Sequence, residues 1–133
     1  MTHQYSGAVR DARNNVIQTT IGTLANLYLY SGAEPANCAA ADPTGLLATL
    51  SLPSTWLGAS SGGVMAKGAI VWSGTATAAG TAASYRIKDS GGVTCHVQGS
   101  VGIGTGDLQL DNTNIALVQT ITINTYQITD GNS

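Results

Sequence analysis

Residues 83–99 read ASYRIKDSGGVTCHVQG, and this stretch has the pattern of a β-hairpin. Apolar and polar side chains alternate in both halves, as expected for strands whose successive side chains point to opposite faces of a sheet. The central DSGG supplies residues that are typical of turns. We therefore expect two antiparallel strands with one face on a core and the other in water. The side chains expected on the core face are Ala83, Tyr85, Ile87, Val93, Cys95 and Val97, and those expected in water are Ser84, Arg86, Lys88, Thr94, His96 and Gln98.

Further strand patterns lie on both sides of this hairpin, at 24–30, 46–52, 64–79 and 115–129. Gly68 and Gly74 are expected to break the third segment into one or two strands. The last segment is rich in Thr and Ile and predicts a long strand with a bulge near Asn124. In LLATLSL (46–52), the alternate residues expected on one face are Leu46, Ala48, Leu50 and Leu52.

One helix is predicted, over about 6–21. Ser6 can cap its N-terminus and Gly22 follows its last turn. Apolar residues recur between them at helical spacing, which predicts that they cover the sheet. These residues are Val9, Ala12, Val16 and Ile17.

These elements predict a mainly β fold, an antiparallel β-sandwich or small barrel with one short N-terminal helix. A parallel α/β fold is excluded because the crossover helices between strands are missing. A length of 133 residues fits one core, so we expect residues 1–133 to form a single domain with strands from about 24 to 129.

The composition favours a chain that is partly covered by neighbours. Only 9% of the residues are charged, against about 25% in typical domains, while 43% are hydrophobic. Surface charge normally keeps small domains soluble and apart. The five basic residues form no clustered stripe, which argues against nucleic-acid binding.

Neither a membrane span nor a secretion signal is predicted. No run of about 18 apolar residues is present. The start, MTHQYSGAV, has no basic segment followed by an apolar one, so we expect the protein to be made and kept in a cytoplasm.

Two motifs that resemble catalytic or metal sites are weak. Gly58, Ser60 and Gly62 match the G-x-S-x-G turn of hydrolases, but that turn joins a strand to a helix, and here a strand is expected to follow. A small hydrolase that uses Ser60 is therefore a minor alternative. Cys95 and His96 are adjacent on a strand, so they point to opposite faces and are not expected to share a metal.

The oxygen-rich stretch DLQLDNTN (107–114) raises the question of a calcium site. Leu108 and Leu110 alternate inward within it, which favours a strand followed by an Asx-type turn. The oxygen-bearing residues are Asp107, Asp111, Asn112 and Asn114.

The glycines of GIGTG (102–106) lack the pattern of a dinucleotide site. We predict no enzyme activity, no cofactor and no metal.

The two cysteines, Cys38 and Cys95, form no C-x-x-C motif. In a cytoplasmic protein both are expected to be free thiols, although a disulfide between them remains open.

Aromatic residues are the candidate contact residues. In LYLYSGAEP (27–35), Tyr28 and Tyr30 share one face of a strand, and they are expected to lie against either the N-terminal helix or another subunit. Trp56 lies in a loop and is expected to contact a partner, whereas Trp72 lies in a strand and is expected in the core.

Several stretches, taken in order, resemble small β-rich virion structural proteins of tailed bacteriophages. They are LYLYSGAEP, LLATLSL, GTAASYRIKD and GSVGIGTGDLQLDN, placed between the N-terminal helix and the closing Thr- and Ile-rich strand. The resemblance implies a head decoration or cement protein that binds the outside of the capsid lattice and stabilises it. It offers no catalytic residues.

The same resemblance implies the partners and the location. The partners would be the major capsid protein or other virion structural subunits, with a homo-oligomer expected, and the protein would be assembled into the virion in the host cytoplasm. Neck, tail and fibre proteins are alternatives. Another is a tail-tip module that binds a carbohydrate or receptor, for which Trp56 and Asp42 form the best candidate pair.

Overall fold

The chain forms a mainly β structure with a short helix near its N-terminus, as predicted. The structure, a computed structural model, describes residues 3–103, 108–110, 112–123 and 125–129. Its elements are α1 (Gly7–Ile21), β1 (Asn26–Tyr30), β2 (Leu46–Ser51), β3 (Val64–Ala66), β4 (Trp72–Thr75), β5 (Gly80–Thr81), β6 (Ser84–Lys88), β7 (Cys95–Gly102), β8 (Leu108–Gln109), β9 (Asn114–Ile115), β10 (Thr120–Ile123) and β11 (Gln127–Thr129).

Five strands form the largest sheet, in the order β2, β1, β6, β7 and β8. The predicted hairpin is confirmed as β6 and β7, with Tyr85 opposite Gly99 and Lys88 opposite Cys95. Val93 was expected on the core face of the second strand, and that prediction is wrong, because Val93 lies in the turn before β7 and is 81% exposed. Strand β1 pairs with both β2 and β6, so two segments distant in sequence meet along it. Strands β7 and β8 run parallel, and the sheet is therefore mixed rather than purely antiparallel.

The remaining strands form three short antiparallel pairs, β4 with β10, β3 with β11 and β5 with β9. The segment 115–129 is therefore not one long strand, because its parts pair with different partners around the core. The bulge predicted near Asn124 lies outside the described residues. The break at Gly68 is confirmed, whereas Gly74 lies inside β4, where an added Cβ would come within 2.9 Å of Leu50 Cγ.

The face of β2 differs from the prediction at its first residue. Ala48, Leu50 and Leu52 are buried as expected, but Leu46 is 41% exposed and Leu47 is buried instead. The pairing of β1 with β2 shifts register between Leu29 and Tyr30, opposite this end of β2. A shift of one residue turns every side chain beyond it to the other face.

Buried apolar side chains from the whole described chain form one core cluster. Four aromatic rings run through it, Trp56, Trp72, Tyr126 and Tyr85, with successive centroids 6.0, 5.5 and 5.7 Å apart. The hydroxyls of Tyr85 and Tyr126 are 3.0 Å apart and share a hydrogen bond, which satisfies both polar groups inside the core. Trp72 is fully buried, as predicted.

Helix α1 has the predicted bounds. The Ser6 hydroxyl accepts a hydrogen bond from the Val9 amide at 3.3 Å. At the other end, Gly22 adopts φ 88°, a conformation that glycine enters without a Cβ penalty, and its amide donates to the Gln18 carbonyl at 2.9 Å.

Only part of the predicted apolar face docks the helix, since Ile17 packs against the core, and polar contacts supply much of the rest. Val9 and Val16 are exposed, the latter by 59%, while Asn14 is 1% exposed. Asn14 Nδ2 donates to Ser60 Oγ at 3.1 Å and to the Gly63 carbonyl at 2.9 Å. Polar side chains face this loop because the loop before β3 turns backbone N–H and C=O groups toward the helix. Such backbone groups need hydrogen-bond partners when they are buried.

Asp11 completes this contact. Its Oδ1 accepts from the Gly63 amide at 2.8 Å and from the Ser60 hydroxyl at 2.9 Å. The hydrogen bond from the Gly63 amide, followed by that from Ser60, lowers the pKa of Asp11 below its usual value of 3.8. The carboxylate therefore stays ionised and bonded at neutral pH.

We predict that Asn14→Ala lowers the free energy of unfolding by roughly 1–3 kcal/mol, because it leaves the buried Gly63 carbonyl without its donor. Urea denaturation measures the change. Val16→Ala, on the exposed side of the same helix, is the matched control and is expected to change stability by less than about 0.5 kcal/mol. Equal effects of the two substitutions would contradict the polar docking of the helix.

Candidate interaction surface

A loop of the chain itself covers part of the sheet face that carries Tyr28 and Tyr30. Their face of the sheet also carries Ser84, Arg86 and Lys88, since Tyr28 pairs with Arg86 and Tyr30 with Ser84. These three polar residues were predicted to face water, and that prediction is wrong, because all three are buried. The covering segment is the connection between β1 and β2, residues 31–45, which we call the β1–β2 loop.

Arg86 holds the β1–β2 loop in place. Its Nη1 donates to the Ala40 carbonyl and to Asp42 Oδ1, both at 3.0 Å. Its Nη2 donates to the Asn37 carbonyl at 3.2 Å and to Gln98 Oε1 at 3.0 Å. All four terminal N–H groups of a 2% exposed guanidinium thus have acceptors, and three of those acceptors are in the loop.

Neighbouring polar groups extend the network. Gln98 Nε2 donates to the Pro35 carbonyl at 2.7 Å, and the Ser84 hydroxyl donates to the Gly32 carbonyl at 2.7 Å. Lys88 Nζ lies 2.8 Å from Asp42 Oδ2. The hydrogen bond from Lys88 is the largest cause that lowers the pKa of Asp42, so this carboxylate stays charged between its two cations.

The three predicted contact residues therefore differ in their access to a partner. Tyr30 is 4% exposed, and burial raises its pKa to about 12. Tyr28 is only half-buried, with Lys88 Nζ 5.0 Å from its ring centroid. Of the two tyrosines, only Tyr28 offers surface to another subunit.

The prediction that Trp56 contacts a partner is wrong. Trp56 is 0% exposed and stacks at an angle on Trp72 in the core. Its Nε1 donates to the Gly22 carbonyl at 3.1 Å, which joins the end of α1 to the core. The Trp56 and Asp42 pair suggested for a carbohydrate is equally ruled out, because a sugar cannot reach the buried indole.

Apolar side chains are exposed elsewhere, and one group surrounds the turn before β10. We define the apolar rim as Leu46, Leu117 and Val118. Leu117 and Val118 are 61% and 69% exposed. Residues 76 and 77 join this turn to the start of β2, since the Val118 amide donates to the Ala76 carbonyl at 3.0 Å and the Thr77 amide donates to the Leu47 carbonyl at 2.8 Å.

Val118 is held in an unfavourable backbone conformation. Its φ is 67°, in the left-handed region that β-branched residues rarely enter. The turn is fixed by the Gln119 side chain, whose Oε1 accepts from the Ala116 amide at 2.8 Å, and by the Gln119 amide, which donates to the Ala116 carbonyl at 3.1 Å. The Val118 backbone is therefore strained while its apolar side chain is exposed to solvent. Backbone strain of this kind is concentrated at functional sites.

A second exposed apolar group lies on the outer side of α1. Val9 and Val16 are two turns apart on the helix, Tyr5 directly precedes the Ser6 N-cap, and each of the three is at least 40% exposed. The Arg13 guanidinium lies 4.8 Å from the centroid of the Tyr5 ring. We call these three residues the helix stripe.

The residues considered for chemistry have structural partners. The Ser60 hydroxyl is bonded to Asp11 and Asn14, and strand β3 follows its loop, not the helix that a hydrolase turn requires. Across the described ranges, three metal-ligating side chains nowhere come together. Asp107 and Asp111 lie outside the described residues.

The Asx turn and the inward leucines predicted for residues 107–114 are present. Asn112 Oδ1 accepts from the Asn114 amide at 3.0 Å. Leu108 and Leu110 are buried.

A groove of about 980 Å³ opens nearby and is lined in part by Lys67, Gln109 and Gln127. The Lys67 amine already donates to the carbonyls of Gly68 and Ile70.

Comparison of the chain with protein-family models, with curated proteins and with solved structures found no match. The described part of the chain contains no helix with the length and apolar character needed to cross a bilayer.

We predict that Arg86→Ala lowers the free energy of unfolding by roughly 1–3 kcal/mol, because the substitution removes four hydrogen bonds from a buried guanidinium to partly buried acceptors. Arg86→Lys keeps the charge but loses the planar fork, so it is expected to restore only a minor part of that loss. Chemical denaturation gives both values. Arg13→Ala, which removes an exposed arginine of α1, is the control and is expected to cost less than about 1 kcal/mol. Full rescue by lysine would contradict the role assigned to the fork.

Proposed function

We propose that this protein is a structural component of the virion of a tailed phage, a head decoration or cement protein that binds the outside of the capsid lattice. The observation that supports this most directly is the apolar rim, in which a strained Val118 is kept exposed. The resemblance of the ordered strand motifs to virion proteins and the low share of charged residues point the same way.

The energetics of the rim favour a partner. A left-handed conformation costs a non-glycine residue about 1–2 kcal/mol, and an exposed side chain recovers none of it within the isolated chain. Burying a valine side chain completely contributes about 1.5–3 kcal/mol. Contact with another subunit would therefore offset the strain, whereas the isolated chain only bears its cost.

Two apolar surfaces suit a protein that binds a lattice as a homo-oligomer. The rim lies at the turn before β10, and the helix stripe lies on α1. One surface can contact the lattice while the other contacts a neighbouring copy, and repeated weak contacts add to strong binding overall. The major capsid protein is the partner that would carry such a repeating surface.

The decisive experiment examines particles from cultures that carry this gene. Quantitative mass spectrometry of purified particles is expected to find the protein in a copy number comparable to that of the major capsid protein. Cryo-electron microscopy is expected to place it at symmetry-related sites outside the head. A few copies at the neck, tail or fibre would move the protein to those structures, and absence from particles would overturn the proposal.

We predict that Val118→Asn separates stability from binding. Asparagine tolerates the left-handed region, so the isolated variant is expected to gain about 0.5–1 kcal/mol in free energy of unfolding, whereas its occupancy on particles is expected to fall. Thermal unfolding and particle occupancy measure the two effects.

Val93→Asn is the matched control for this experiment. Val93 is 81% exposed in the β6–β7 turn, at the opposite end of the sheet from the rim, and it does not have a positive φ. We expect Val93→Asn to change neither the free energy of unfolding nor the occupancy on particles appreciably. Unchanged occupancy of the Val118→Asn variant would show that the rim does not bind the particle.

A further inference from the structure

The two cysteines meet between the β1–β2 loop and the sheet. Cys38 lies in the loop and Cys95 is the first residue of β7, 57 positions further along the chain. Their Sγ atoms are 2.9 Å apart, and both residues are half-buried thiols. We propose that Cys38 and Cys95 are a disulfide-forming pair, which closes when the protein meets a small-molecule disulfide and fastens the loop to β7.

The surroundings of Cys38 hold it ready for this reaction. The carbonyls of Asn37 and Ala40, on either side of Cys38, both accept hydrogen bonds from Arg86. Asn37 Oδ1 also accepts from the amides of Ala39 and Ala40, at 2.9 and 3.0 Å, and this fixes the turn. The loop is thus already ordered before a bond forms.

Cys95 is positioned by the sheet, as the first residue of β7 and next to a register shift in the pairing with β6. It pairs with Lys88 at the start of β7, beside the hairpin turn. A disulfide requires an S–S distance of about 2.05 Å, so the two sulfur atoms have to approach by a little less than 1 Å. A shift of this size needs no rearrangement of the strands.

The reaction has two steps. One of the two cysteines attacks the reagent first, as the thiolate. It forms a mixed disulfide with one half of the reagent and releases the other half as a thiolate.

In the second step, the other cysteine loses its proton to solvent and attacks the sulfur of the first. The second half of the reagent leaves as a thiolate. Overall, two protein thiols are oxidised to one disulfide, and one small-molecule disulfide is reduced to two thiols. The two electrons and two protons that leave the protein are thereby accounted for.

Oxidised glutathione is the probe for the first test. After incubation of the purified wild-type chain, intact mass spectrometry is expected to show the loss of two hydrogen atoms and no retained glutathione. A peptide map is expected to join the Cys38 and Cys95 peptides within a monomer. Two thiols that persist under excess reagent, or dimers linked between chains as the main product, would overturn the proposal.

Single serine variants test the mixed disulfide. Cys95→Ser is expected to retain one glutathione on Cys38, and Cys38→Ser is expected to retain one on Cys95, because the second thiol is missing in each variant. Failure of both variants to retain glutathione under excess reagent would overturn the assigned route.

The bond is also expected to change stability. Cross-linking two residues this far apart restricts the unfolded chain, and oxidation should raise the melting temperature of the wild type by roughly 10 °C. The same treatment should leave the melting temperature of Cys38→Ser nearly unchanged. Equal shifts in both proteins would show that the bond does not fasten the loop. None of these measurements depends on the virion assignment.

Discussion

The Arg86 guanidinium is the contact on which this architecture depends. It lies on the central β1–β6 pair of the large sheet, and three of its four acceptors belong to the β1–β2 loop. Without a cover, one face of the sheet would carry tyrosines and cations in water. With the loop in place, that face becomes a second buried layer, held by hydrogen bonds rather than by apolar packing. Fixing an irregular loop costs conformational entropy, and charge-assisted hydrogen bonds are strong enough to offset it.

Local signals in the sequence predicted the local structure. Ser6 and Gly22 define the ends of the helix, and the alternation in residues 83–99 gives the hairpin, because each signal and the structure it specifies lie within the same short stretch. Long-range contacts were less accessible to prediction. By its position in the alternating pattern, Arg86 is a solvent-facing residue. It is buried only because a loop some forty positions upstream covers it, and the alternation of side chains along a strand does not predict such a long-range contact.

The errors at α1 and at Trp56 have one physical origin. Helical spacing predicts which residues share a face, but it does not predict what that face meets. The loop before β3 meets α1 with backbone polar groups, so Asp11 and Asn14 turn inward and the valines turn outward. The Gly22 carbonyl, left at the end of α1, gives the Trp56 N–H an acceptor inside the core, and this makes complete burial of the indole tolerable.

Burial of charge inside the chain makes its surface poorer in charge than the composition indicates. Two of the five basic residues, Arg86 and Lys88, are buried on the sheet, while large apolar side chains of the rim and the helix stripe face outward. This distribution reverses the usual arrangement, in which burial of charge is costly and surface charge keeps molecules apart. The cations are used to fix an internal layer, and the apolar residues remain on the outside, where the isolated chain gains nothing from them. A partner surface that covers the rim would convert that exposed area into binding free energy, and for this reason we favour assembly as the role of the protein.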